Sequence, residues 1–217
     1  MKKALLLSAV LLFAVTSFAD TIINNFNGYN DTWAPFGDPA TATQTYGEIF
    51  TAPNGINDLT TFSFYMGNQY SVFGGNIITG AYIATWTGTH AGQLLFSSPE
   101  INYDNLGNEE ITVSTNNVIV TPGQQYIAFL STSQYHGQSM GEAYASAGSA
   151  DPNLNGFAYF NNGRAFDDLF ALPWDGFGLS PDWAVNLEFT SIPEPSTLVF
   201  LGTGILSGLG MLRRKSF

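Results

Sequence analysis

Trp183, Val185, Leu187 and Phe189 alternate with Ala184, Asn186 and Glu188. A period of two over seven residues fits only an extended strand with one face buried. Thr60, Phe62, Phe64 and Met66 repeat the pattern against Thr61, Ser63 and Tyr65. Residues 76–86 are apolar on both faces, which predicts an interior strand. Residues 118–120 run into Thr121-Pro122-Gly123-Gln124, with Pro at the second and Gly at the third position of a type II turn. Residues 126–130 then resume a strand. Segment 131–155 is small and polar, segment 165–181 mixes Gly, Pro and aromatics, and both read as loops. No stretch between residues 20 and 191 carries a helical period over ten residues, and no strict repeat is present. The pattern predicts an all-β sandwich.

The two ends follow different rules. Lys2 and Lys3 precede an apolar run over residues 4–15, broken only by Ser8, and Ser17-Phe18-Ala19 follows. A positive start, a short apolar stretch and small residues before a cut are the parts of a secretory signal peptide. Residues 1–19 are therefore expected to be removed by signal peptidase between Ala19 and Asp20. At the other end, Pro193-Glu194-Pro195 precedes an apolar run over 198–212, which Arg213-Arg214-Lys215 closes. Fifteen residues rise about 22 Å as a helix, slightly short of a bilayer core, and the hydroxyls of Ser196 and Thr197 can extend it. The terminal cations belong on the cytoplasmic side, which places the main domain outside. Gly204 and Gly208 form a GxxxG pair that reads as ordinary small-residue content.

This ordered triplet of Pro193-Glu194-Pro195, Gly-rich apolar helix and basic terminus resembles the PEP-CTERM sorting signals. The resemblance covers about 25 residues. It implies recognition and cleavage near the motif by an exosortase, a membrane cysteine peptidase. It also implies transient residence in the inner membrane of a Gram-negative bacterium that makes exopolysaccharide and biofilm. The expected division is a signal peptide at 1–19, a β-sandwich domain at 20–191, and a sorting signal with transmembrane helix at 192–217.

Charge narrows the partners. Five of the six Lys and Arg residues sit in the terminal segments, leaving Arg164 against sixteen acids between residues 20 and 191, a net charge of −15. Nucleic acid and anionic lipid are repelled by such a surface, while divalent cations are attracted. The chain has no cysteine, so thiol chemistry and disulfide staples are excluded and stability must come from packing.

The segments "TYGEIFTAPNGINDLTTFSFYMG", "VTPGQQYIAFLST" and "DWAVNLEF" resemble jelly-roll-like domains of anchored bacterial surface proteins. That resemblance implies a fold and supplies no catalytic residues.

Candidate chemistry is sparse. His90 and His136 lie in polar, Gly-containing stretches, and no G-x-S-x-G elbow or HExxH motif is present. Glu109-Glu110 and Asp167-Asp168 are adjacent, so on a strand their side chains diverge and neither doublet is by itself a glycosidase pair. Asp151, Asn153 and Asn155, followed by Gly156, match the first half of a calcium loop, but its twelfth position is Asn162 in place of a bidentate Glu. An Asx-rich turn explains the same residues. Flat rings in loops can stack on sugars, and Trp33 and Trp174 fall in loop-like segments. Trp183 belongs to a core face, and Trp86 fits either role. The expected protein is a non-catalytic surface or matrix component associated with exopolysaccharide. The alternatives are a secreted carbohydrate-active enzyme and a structural protein without a discrete ligand.

Overall fold

The computed structural model describes residues 20–28, 32–38, 42–56, 58–67, 75–103, 107–138, 141–160, 165–176 and 182–191, with backbone alone for 32–34 and 155–160. Residues Thr21–Thr190 form one compact unit. Its strands are β1 (Thr21–Asn24), β2 (Thr32–Gly37), β3 (Thr45–Thr51), β4 (Asp58–Gly67), β5 (Ile77–Trp86), β6 (Ala91–Ser97), β7 (Ile101–Tyr103), β8 (Glu109–Ile119), β9 (Gln125–Ser131), β10 (Glu142–Ser146), β11 (Leu154–Phe160), β12 (Asp175–Gly176) and β13 (Val185–Thr190). They build two antiparallel sheets. The first runs β1-β13-β4-β10-β2, with β8 also on β4; the second runs β12-β11-β3-β9-β5-β6, with β7 also on β5. The all-β sandwich read from the sequence is the fold.

The main core lies between the sheets. Phe62, Phe64 and Met66 of β4 and Val185, Leu187 and Phe189 of β13 meet Tyr46 and Phe50 of β3 and Ala81 and Ile83 of β5. Fully burying each large side chain contributes about 1.5–3 kcal/mol, which is how a domain without disulfides is held. The alternation of β13 is observed as read, with every second residue buried. β5 is interior, as expected, with β9 on one side and β6 and β7 on the other.

β5 is apolar on its second face for a specific reason. Tyr82 and Ala84 point away from the main core into a second cluster with Ile127, Phe129, Leu169 and Trp174. A 3-10 turn, Phe166–Phe170, covers this outer face of the second sheet. Segment 165–181, expected to be loop, therefore contains a packed turn and the short strand β12.

The segment expected as a loop at 131–155 also departs from the reading. It holds the 3-10 turn Ser133–Tyr135, then β10, which pairs with β2 and with the end of β4. The turn at Thr121 is as expected: Gly123 has φ 77° and Gln124 N–H donates to Thr121 O at 3.0 Å. β8 carries a register shift where Asn116 and Asn117 have φ of 52° and 68°. Asparagine tolerates this left-handed region better than most residues. Among the described residues there is no α-helix, and no helix is long and apolar enough to cross a membrane. The signal peptide at 1–19 and the transmembrane helix expected over 198–212 lie outside the described residues.

Candidate functional site

Two polar clusters interrupt the apolar sandwich. The first joins the end of β2 to the turn after β9. Asp38 is buried, and it holds His136, whose side chain is 46% exposed. His136 Nδ1 lies 2.5 Å from Asp38 Oδ1, and Gly137 N–H donates to Asp38 Oδ2 at 2.5 Å. Gln44 Nε2 donates to Asp38 Oδ1 at 2.9 Å. A carboxylate only accepts, so in this contact His136 Nδ1–H donates to Asp38 Oδ1; Gln44 Nε2 lies 3.0 Å from the same ring nitrogen. Beside it, Thr45, Ser131 and Ser133 share a hydroxyl network with Oγ distances of 2.7–3.3 Å. The sequence around His136 is polar and Gly-containing and gives no sign of this partner. Asp38 lies 98 positions away, and no local pattern marks the pair. Asp38→Ala strands the Gly137 and Gln44 donors. It is expected to cost about 1–3 kcal/mol in urea denaturation, with His136→Ala costing less.

The second cluster is deeper. Glu48 sits on β3 at the phase of Tyr46 and Phe50 and is 0% exposed. Its Oε2 accepts the Trp183 N–H at 2.8 Å, whereas its buried Oε1 has no hydrogen-bond partner. Burial pushes the Glu48 carboxyl well above the usual range, the Trp183 and Ile49 backbone N–H groups pull it back, and nearby Asp182 raises it further. Asn25 frames the same corner: its Nδ2 donates to Trp183 O and its Oδ1 accepts from Val185 N–H, both at 2.8 Å. Asp182 Oδ2 accepts from Asp151 N–H at 3.3 Å.

The residues singled out from sequence fare unequally. Trp174, expected as an exposed stacking ring, is 8% exposed and is corrected to a core plug. Its indole N–H donates to Leu169 O at 2.8 Å, and its ring meets Phe129 and Trp86 edge-on at 5.4 and 6.0 Å. Trp33 lies in β2, paired in register with Ala145, and its side chain lies outside the described residues. Asp151 Oδ1 accepts from Asn153 N–H at 2.8 Å and Nδ2 at 3.0 Å, which makes an Asx turn; the Asn155 side chain is outside the described set. Among the described residues, no three His, Cys, Asp or Glu side chains form a metal-holding group. Glu109 and Glu110 are exposed at the start of β8, and Asp167 and Asp168 lie in the 3-10 turn.

The outer face of the first sheet carries polar rows in which Asn24 and Thr112 are exposed, Asn186 is half-buried and Ser63 is buried. Asn24, Asn186, Ser63 and Thr112 stand in register across β1, β13, β4 and β8. Ile22, Glu188, Thr61 and Ser114 form the next row. Ser63 and Thr112 hydroxyls are 2.9 Å apart, and Phe26 stacks on Tyr65 with centroids 3.8 Å apart.

Comparison with known proteins addresses delivery. Residues 191–215 match the PEP-CTERM protein-sorting motif. The chain carries a PEP-CTERM sorting signal. The PEP-CTERM motif supports an exported, membrane-anchored precursor that is processed by an exosortase. No curated protein gives a significant match. Two solved structures resemble the fold at 10% identity over 80% of this chain. They are the cysteine protease and lectin-like domains of Cwp84, a surface layer associated protein of Clostridium difficile (TM-score 0.49), and the clostridial cysteine protease Cwp84 after propeptide cleavage (TM-score 0.50). The chain spans 36% and 40% of their lengths. Identity this low speaks to fold alone.

Proposed function

We propose that this PEP-CTERM protein is a non-catalytic component of the surface or matrix of a Gram-negative bacterium, and that it associates with exopolysaccharide. The observation that carries the reading is the in-register row Asn24, Asn186, Ser63 and Thr112 on the outer face of the first sheet, exposed at Asn24 and Thr112. Strands about 4.8 Å apart place the exposed Asn24 and Thr112 about 14 Å apart across the sheet, with half-buried Asn186 between them and buried Ser63 bracing Thr112 through its hydroxyl. Uncharged donors and acceptors on a rigid face suit sugar hydroxyls, and they sit on a domain whose net charge repels polyanions. With Trp174 buried, this face and Trp33 remain as the places where a glycan would dock.

Calorimetry against the exopolysaccharide of the producing cell tests the reading. Wild type is expected to bind, and a double Asn24→Ala, Thr112→Ala variant to bind about tenfold more weakly, equivalent to about 1.4 kcal/mol. Equal binding by both proteins would remove the row as the site. No binding by wild type would leave a purely structural matrix protein.

A second reading, a secreted carbohydrate-active enzyme, is favoured by one observation. Buried Asp38 holds the exposed His136 ring through Nδ1, as a carboxylate holds an imidazole used as a base. Release of reducing ends in the same experiment, lost in His136→Asn, would decide for it.

A further inference from the structure

Glu48 is a fully buried carboxyl whose Oε1 meets no hydrogen-bond donor. A buried carboxylate without compensation is among the costliest arrangements a fold can hold. Asp182 stands beside it, fixed by its position next to Trp183, whose N–H binds Glu48 Oε2. Asp182 Oδ2 in turn receives the Asp151 N–H, which brings the Asx turn over Asp151 and Asn153 to the same corner. β11 adds a register shift there: Leu154 pairs with Phe50 and Phe157 with Glu48, so the Asn155-Gly156 backbone bulges along the stretch of β3 that carries Glu48. Glu48 on β3 and Asp182 ahead of β13 thus bring two carboxyls to one corner, and the Asp151 N–H ties the 151–153 turn to Asp182.

We propose that this corner is a calcium site, with Glu48 and Asp182 as its carboxylate ligands and the 151–156 turn supplying neutral oxygens. The twelfth position of the sequence loop lacks a glutamate, and Glu48 from the neighbouring strand takes that part. Two carboxylates are too few for a cage of acids, so the rest of the shell consists of carbonyl, amide and water oxygens. A mixed, irregular oxygen shell is what calcium accepts, whereas magnesium demands a near-ideal octahedron. The cation balances the like charges of Glu48 and Asp182 and gives Oε1 its partner. It also ties β3 to the segments entering β11 and β13. An exported domain meets calcium outside the cell, where modules commonly bind it with a dissociation constant on the order of 10⁻⁴ M.

The test uses the protein purified after export and dialysed against chelator. Calcium at about a hundred times its dissociation constant is expected to raise the folding equilibrium constant about a hundredfold, seen as a higher melting temperature. Magnesium at the same concentration is expected to leave it nearly unchanged. In Glu48→Gln, which keeps the shape and removes the charge, the calcium shift is expected to vanish. Terbium on wild type gives a readout independent of that variant's folding: luminescence sensitised by Trp183 that calcium displaces and magnesium does not. Absence of any calcium-dependent shift in wild type would overturn the proposal, as would a shift that persists in Glu48→Gln. A chelator-treated Glu48→Gln more stable than wild type, with no calcium effect in either, would show that Glu48 is held as a neutral acid.

Discussion

Trp174→Ala is expected to destabilise the protein by about 3–5 kcal/mol, the usual cost of deleting a buried Trp side chain. The ring is the keystone of the second cluster. It touches Phe129 and Trp86 edge-on, its indole N–H is spent on Leu169 O, and its backbone N–H donates to Thr89 O at 2.7 Å. Removing it opens a cavity over the outer face of the second sheet and strands the Leu169 carbonyl. The 3-10 turn Phe166–Phe170 then loses the partner that pins its far side, although Phe166 still packs on Tyr82 at 4.8 Å. Equilibrium denaturation gives the magnitude, and near-ultraviolet circular dichroism reports the lost aromatic packing. A ring serving only to stack on sugar would give the opposite pattern, unchanged stability with lost glycan binding. A loss below about 1 kcal/mol would place the ring outside the core, since surface substitutions stay near ±0.5 kcal/mol.

The contrast between Trp174 and Trp183 shows what a sequence can reveal about this fold. Trp183 lies at the head of a strict alternation, and the period alone places it inside. Trp174 lies between Pro173 and Asp175, where composition marks a loop; what buries it is tertiary contact with Phe129, 45 positions earlier. β10 escaped for a related reason. Its residues, Glu142 to Ser146, include Ala143 and Ala145 on the core face, and small side chains carry a weak strand signal. On that face they stand in register with Phe36 of β2 and Met66 of β4, in the same core. Glu48 was legible in principle. In "TYGEIFT" it occupies the same phase as Tyr46 and Phe50, so the rule that placed Phe62 in the core also places a carboxyl there. A charged residue at a core phase is a local signal, whereas the Trp183 N–H that it accepts needed the fold to be seen. The Asp38 and His136 pair had no such signal, because neither residue interrupts a periodic segment.

Replacing Pro193, Glu194 and Pro195 together by alanine is expected to abolish C-terminal processing in a host that has the matching exosortase. The match over residues 191–215 places the motif at the head of the sorting signal. Two prolines bias the backbone toward extended conformations and keep helix from propagating upstream, which presents an extended chain to a peptidase. Alanine reverses both effects, favouring helix, and removes the one acid of the segment. The apolar run at 198–212 and Arg213, Arg214 and Lys215 are untouched, so insertion and orientation are preserved. The variant should therefore reach the membrane and stop there. Mass spectrometry is expected to find the uncut C-terminus, and fractionation to find the protein in the inner membrane, while wild type is found cut and released from it. An Arg213→Ala, Arg214→Ala, Lys215→Ala variant separates anchoring from recognition: it weakens retention on the cytoplasmic side while leaving Pro193-Glu194-Pro195 for the peptidase to read. If the alanine triplet leaves mass and location as in wild type, recognition does not pass through these three residues.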